Sequence, residues 1–137
     1  MNPTRTLTVD IDAPFSAVMS ELSDPMQHPS WATEFFDGEA EVDTNNEVCV
    51  CVPRLGGICR MKVEADVELG IVDIYLARKP DEFGKPLPVR VIENGQGATV
   101  LWTLSQFPGL PDDAFTAGCA SMQLELDTLK SKLERQP

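Results

Sequence analysis

The spacing of apolar positions changes from stretch to stretch along this chain, and each change marks a predicted element. Leu7, Val9 and Ile11 alternate with Thr8 and Asp10, the period of a half-buried strand. Asp12-Ala13-Pro14-Phe15 follows. A proline suits the first turn of a helix, because its missing N–H would have no partner there. Phe15, Val18 and Leu22 then fall on one helical face, which predicts a helix from about Pro14 to Ser23. Pro25 and Pro29 interrupt regular structure and leave a short turn or helix through Asp24–Trp31.

From Phe36 onward the period is two. Glu39–Val42 and Glu47–Val52 read as short strands around Asp43-Thr44-Asn45-Asn46, and Gly56-Gly57 marks the next turn. Between Cys59 and Leu69, the residues Cys59, Met61, Val63, Ala65, Val67 and Leu69 take one face, and Arg60, Lys62, Glu64, Asp66 and Glu68 take the other. That alternation predicts an antiparallel strand with one face in the core and one in water. After Gly70, Val72, Ile74 and Leu76 face inward on the next strand. Pro80–Pro88 is a loop, and Val89–Glu93 and Ala98–Gln106 form a final hairpin around Asn94-Gly95-Gln96-Gly97. Asp112 or Asp113 is then expected to cap a helix. On it Phe115, Cys119, Met122, Leu126, Leu129 and Leu133 form an apolar stripe about five or six turns long. Lys130 and Lys132 lie near its C-terminal end, where cations suit the helix dipole.

Length and composition fit one compact domain, expected over residues 1–137. The 137 residues are 42% hydrophobic and 24% charged, enough for a real core and far from the composition of a disordered chain. The net charge of −11 repels phosphate backbones and anionic lipid surfaces, so a nucleic-acid partner is not expected. No apolar run approaches the roughly 20 residues of a membrane span, so no stable membrane insertion is expected. Met1-Asn2-Pro3-Thr4-Arg5 lacks the basic-then-apolar layout of a signal peptide, which makes the cytoplasm the expected location. Cys49, Cys51, Cys59 and Cys119 are then expected as thiols.

The order strand, helix, short helix, meander of strands, long helix resembles the SRPBCC superfamily, the START-related helix-grip domains that include polyketide cyclase/dehydrase-like and lipid-transport-like proteins. Four stretches carry the resemblance: Val9-Asp10-Ile11-Asp12-Ala13-Pro14 at the opening strand, Val18 to Trp31 over the first helix and its turn, Val100-Leu101-Trp102-Thr103-Leu104 at the last strand, and Met122 to Glu134 on the final helix. The resemblance implies an α+β helix-grip fold. About six or seven antiparallel strands would curve around the long C-terminal helix, with two short helices after the first strand and an apolar cavity between sheet and helix. It also implies binding of a small hydrophobic molecule, such as a lipid or a polyketide- or isoprenoid-like compound. Two alternatives stand beside this: an enzyme of cyclase or dehydratase type using a cavity acid/base, and a protein-interaction module with a filled core.

Candidate residues follow from types and positions. His28, the only histidine, could serve as an acid or base near neutral pH or orient a ligand, and Tyr75 could also orient one. Trp31, Phe35 and Phe36 form an aromatic cluster, which the resemblance places at the cavity mouth. Trp102 shares parity with Val100 and Leu104, and Met61, Val63, Leu76, Cys119 and Met122 join it as expected cavity lining. Asp24, Glu34, Asp37 and Glu39 surround the aromatic cluster, and any of them inside an apolar cavity could be a general acid. Cys59 could lie opposite Cys51, but the spacing of Cys49, Cys51 and Cys59 does not fit a structural metal site, and no metal or cofactor is expected. An open strand edge leaves room for a homodimer.

Overall fold

The computed structural model describes residues 1–136. Leu7, Val9 and Ile11 are the buried positions of strand β1 (Thr4–Ile11), and their partners across the ladder are the buried Trp102, Val100 and Ala98 of β7 (Gly97–Ser105). The same inward row continues across the sheet. Trp102 stands opposite Val89 of β6 (Leu87–Asn94), and Val89 opposite Val72 of β5 (Ile71–Arg78). Leu76 of β5 stands opposite Met61 of β4 (Gly57–Asp66), and Cys59 of β4 opposite Val50 of β3 (Val48–Val52). With β2 (Glu41–Val42) the sheet has seven antiparallel strands in the order β1-β7-β6-β5-β4-β3-β2. The residues that alternate in sequence are therefore neighbours across strands, which is what fixes the register.

Strands β2 to β7 form a plain meander, and β1 joins it at the far edge against β7. The chain must therefore cross from one edge of the sheet to the other between β1 and β2. It does so through helix α1 (Phe15–Ser23), which packs on β4 to β7, and a 3₁₀ turn at Pro25–Ser30, which packs on β3 and β4. Val18, Met19 and Leu22 are the buried face of α1.

The second helix, α2 (Asp112–Glu134), runs along β1 and comes comparably close to no other strand. Its side chains bond to the open edge of β1. The Lys130 ammonium donates to the Asp10 carbonyl at 2.6 Å, the Gln123 amide to the Thr8 carbonyl at 3.4 Å, and the Asp12 N–H donates to Glu134 Oε2 at 2.7 Å. The edge is thus partly covered, as edges of soluble sheets must be. Near the same C-terminal end of α2, the Lys132 ammonium donates to Glu21 Oε2, Gln27 Oε1 and Ser30 Oγ, fastening α2 to α1 and the 3₁₀ turn.

Three local expectations need correction. The β4 strand ends at Asp66 instead of running to Leu69, leaving Val67 and Leu69 exposed. The cause is a turn closed by the Leu69 N–H donating to Asp66 Oδ1 at 3.1 Å, with Gly70 at φ +68°. Cys59 lies opposite Val50, not Cys51, because a 3₁₀ turn at Pro53–Leu55 shifts the hairpin register. Helix α2 takes Pro111, not Asp112 or Asp113, as its N-cap; both aspartates sit in the first turn, where they still complement the helix dipole.

An alanine at Gly70 would combine a left-handed φ with overlap between its Cβ and the Val91 carbonyl oxygen. Gly70→Ala should therefore cost more than about 1 kcal/mol. Gly118→Ala, in α2 where an added Cβ meets nothing within 4 Å, should be neutral or stabilise by up to about 1 kcal/mol. Urea denaturation midpoints of the two variants check this.

Candidate functional site

Because α2 follows one edge of the sheet, the middle of the concave face is left uncovered, and a cavity of about 500 Å³ occupies the gap. Helix α2 contributes Phe115, Gly118, Cys119, Met122 and Glu125 to its wall, and the sheet contributes Met61, Ile74, Leu76, Leu87, Trp102 and Leu104. The crossing segment closes it from a third side with His28, Trp31, Ala32, Phe35 and Phe36. Arg54, Leu55, Ser105 and Phe107 are exposed wall residues and mark the mouth.

Of the expected ligand-contacting residues, His28, Trp31, Phe35, Phe36, Met61, Leu76, Trp102, Cys119 and Met122 are brought together on this wall. Val63 and Tyr75 are not. Val63 is half-buried opposite Ile74 and packs against the core beyond the cavity. Tyr75 pairs with Lys62 on the outer face of the sheet, where its hydroxyl donates to Glu64 Oε2 at 3.4 Å and its ring meets Phe83 edge-on at 6.1 Å. Its parity, opposite to Ile74 and Leu76, requires that. The four cysteines are free, and among the described residues no cluster of side chains could hold a metal ion.

His28 is buried. Its Nε2 lies 2.7 Å from the Leu22 carbonyl and must donate to it, which leaves Nδ1 unprotonated. Its ring packs against Trp31 at 5.1 Å, and Trp31 in turn meets Trp102 edge-on at 5.9 Å. Burial lowers the imidazole pKa from 6.5 to about 4, against the opposing pull of the Leu22 bond and of Asp24. His28 is therefore neutral near pH 7. The indole N–H groups of Trp31 and Trp102 are buried without a partner.

The carboxylate inside the cavity is Glu125, not any of the four expected around the aromatic cluster. Glu34, Asp37 and Glu39 are exposed, and Asp24 accepts the Met26 N–H to cap the 3₁₀ turn. Glu125 is 2% exposed. Its Oε2 accepts the backbone N–H groups of Glu34 and Phe35 at 3.0 and 3.1 Å, tying the segment that carries the aromatic cluster to α2. Burial raises its pKa from 4.5 to about 7; those backbone bonds oppose the rise, Glu34 adds to it, and Arg54 opposes it weakly. The spacing of the helix held the signal: Glu125 follows Met122 by three and precedes Leu129 by four, inside the apolar arc.

A curved antiparallel sheet, a C-terminal helix held against one edge and an apolar cavity between them define the helix-grip fold of the START, or SRPBCC, type. No protein-family model and no curated protein sequence matches the chain. Solved structures do match over nearly its full length. The aromatase/cyclase Zhui from Streptomyces sp. R1128 is 14% identical with a TM-score of 0.70, covering 98% of this chain and 95% of that one. A START superfamily protein from Mycobacterium smegmatis is 12% identical with a TM-score of 0.64, covering 98% and 99%. Aha1 from Colwellia psychrerythraea, a dimer in solution, is 20% identical with a TM-score of 0.65, covering 97% of each chain. The likeness is one of fold. No helix among the described residues is long and apolar enough to cross a membrane.

Two buried titratable groups on the cavity wall, His28 and Glu125, respond to pH in opposite senses. His28 is lowered below its unfolded value, so its contribution to stability is present above about pH 6.5 and lost as pH falls through about 4. As the only histidine, its ring resonances can be followed directly by NMR and should titrate with a midpoint well below 6.5. Glu125 is raised, so its contribution is present below about 4.5 and lost as pH rises through about 7. Glu125→Gln should therefore be more stable than the parent by up to about 3 kcal/mol at pH 8, with the advantage vanishing near pH 4. Denaturant titrations of both proteins across that range check it.

Proposed function

We propose that this protein binds a small, largely apolar molecule in the cavity between sheet and α2. The observation that carries the reading is the cavity itself. At about 500 Å³ it lies within the roughly 300–1,000 Å³ of ligand sites, and its walls are aromatic, aliphatic and thioether side chains with few polar groups. Burying a ligand's apolar surface there contributes about 25 cal/mol per Å². Trp31, Trp102, Met61 and Met122 supply large and adaptable contacts. A protein-interaction module with a filled core would have no use for such a space. The lipid, polyketide or isoprenoid character of the ligand is a narrower statement within the same reading, which the apolar wall and the likeness to START-type structures support.

A second reading, catalysis of cyclase or dehydratase type on the bound molecule, is favoured by one observation: Glu125 is a buried carboxyl on the cavity wall whose pKa of about 7 suits an acid or base. Native mass spectrometry of protein purified from its own cells separates the two. A defined adduct that leaves unchanged on denaturation supports binding. Conversion of the recovered molecule on incubation with fresh protein, lost in Glu125→Gln, supports catalysis.

Both tryptophans of the chain stand on the cavity wall, so their fluorescence reports occupancy without a label. Titration with the neutral dye N-phenyl-1-naphthylamine should quench tryptophan emission and raise that of the dye, saturably. Gly118 lies on the wall of α2 with open space beyond it, so Gly118→Leu should fill the cavity. The dye affinity should fall tenfold or more while the circular dichroism spectrum stays that of the parent. Unchanged affinity in a folded Gly118→Leu protein would place the dye elsewhere.

A further inference from the structure

The interior of the cavity wall carries few groups with hydrogen-bonding capacity to spare. The polar wall residues are His28, Arg54, Ser105 and Glu125, beside the indoles of Trp31 and Trp102, whose unpartnered N–H groups are themselves buried. Arg54 and Ser105 are exposed at the mouth. His28 commits Nε2 to the Leu22 carbonyl, and burial keeps its ring neutral, so its Nδ1 is an uncharged acceptor. Glu125 differs from all of these. Both backbone N–H groups that it accepts fall on Oε2, and no bond from the described residues falls on Oε1. Nor is Oε1 sealed in: the buried side-chain atoms left without a partner are Ser23 Oγ, Trp31 Nε1, Arg60 Nε and Trp102 Nε1. Oε1 is thus a free acceptor on a residue that is 2% exposed and lines the cavity.

At pH 8, where Glu125 is mostly ionised, its free oxygen accepts and does not donate. Leaving it unmatched in an apolar enclosure costs more than leaving a neutral group unmatched, and a second carboxylate beside it is repelled. We infer that Glu125 anchors the polar end of the ligand, and that the ligand is an apolar molecule bearing a hydrogen-bond donor, a hydroxyl or an ammonium group, rather than a carboxylate such as a fatty acid. The inference rests on the cavity-binding reading and narrows it to a chemical class. The net charge of −11 acts in the same direction, against anionic ligands and for cationic ones.

Ligands matched in their apolar part and different in the head group test it. At pH 8, 1-decanol, decylamine, 1-methoxydecane and decanoate compete against bound N-phenyl-1-naphthylamine. Decanol should bind about tenfold or more tightly than its methyl ether, the worth of a hydrogen bond to a charged group. Decylamine should rank with decanol or above it, and decanoate should be weakest. In Glu125→Gln, which keeps an acceptor for the Glu34 and Phe35 N–H groups, decanoate should gain at least tenfold. The gap between decanol and its ether should narrow to within about threefold. A decylamine advantage that survives in Glu125→Gln is the general field of the protein and does not count for the anchor, so the decanol–ether pair decides. Equal displacement by decanol and its ether in the parent protein overturns the anchor, whether or not the variant folds, and leaves cavity binding intact. If the dye itself does not bind, the cavity-binding reading fails and this inference with it.

Discussion

The site depends on the way α2 is fastened to one edge of the sheet. Lys130 and Gln123 donate to the carbonyls of Asp10 and Thr8 on the open side of β1, and Glu134 accepts the N–H of Asp12. A helix held along an edge cannot also lie on the middle of a curved sheet. The apolar stripe of α2 is consequently divided. Leu126, Leu129 and Leu133, near the C-terminal half, are fully packed, while Phe115, Gly118, Cys119 and Met122 face the cavity. The crossing segment closes what the helix leaves open at one end, because topology forces residues between β1 and β2 to pass from edge to edge beneath the same concave face. The cavity is therefore a consequence of connectivity and of a few bonds at one edge, not of poor packing.

That arrangement stores unfavourable terms around the empty space. Trp31 and Trp102 keep indole N–H groups without partners, each worth about 1–3 kcal/mol of lost solvation. Glu125 is an acid buried among apolar residues, and His28 a base that burial holds neutral. Proteins tolerate such groups where the surroundings over-determine the fold, and the surroundings here do: apolar residues face apolar residues across five strands of the sheet, and Lys132 ties the end of α2 to both α1 and the 3₁₀ turn. Stability sits in the ladder and at the fastened edge, and the unpartnered indole N–H groups of Trp31 and Trp102 stand on the wall that packing leaves incomplete.

Much of this was legible in the chain because period-two alternation carries both the strand and its facing. Leu7, Val9 and Ile11, and Val72, Ile74 and Leu76, point where their parity says. The failures have specific causes. Val67 and Leu69 continue the alternation past the point where Asp66 turns the chain, so pattern alone overran the strand. Cys59 was matched to Cys51 because the hairpin register depends on a 3₁₀ turn that the Gly56-Gly57 pair does not announce. Tyr75 has chemistry that suits a ligand, but its parity, opposite to that of Ile74 and Leu76, points it to the outer face. Glu125 was passed over for the opposite reason. A charged residue in a long amphipathic helix is ordinarily on the wet face, and only its three- and four-residue spacing from Met122 and Leu129 placed it within the apolar arc.

Identity of 12–20% to structures of the same fold carries shape and not chemistry. In this chain the buried carboxylate of the cavity wall has divided duties. Oε2 of Glu125 holds the backbone at Glu34 and Phe35, the segment that brings Phe35 and Phe36 to the wall. Oε1 is left for whatever enters. Deleting the side chain would remove the wall's support and its free acceptor together, and the two losses could not be told apart. An amide in its place keeps an oxygen for the backbone while withdrawing the charge, so the division of labour between the two oxygens is itself what makes the chemistry of the cavity separable from its architecture.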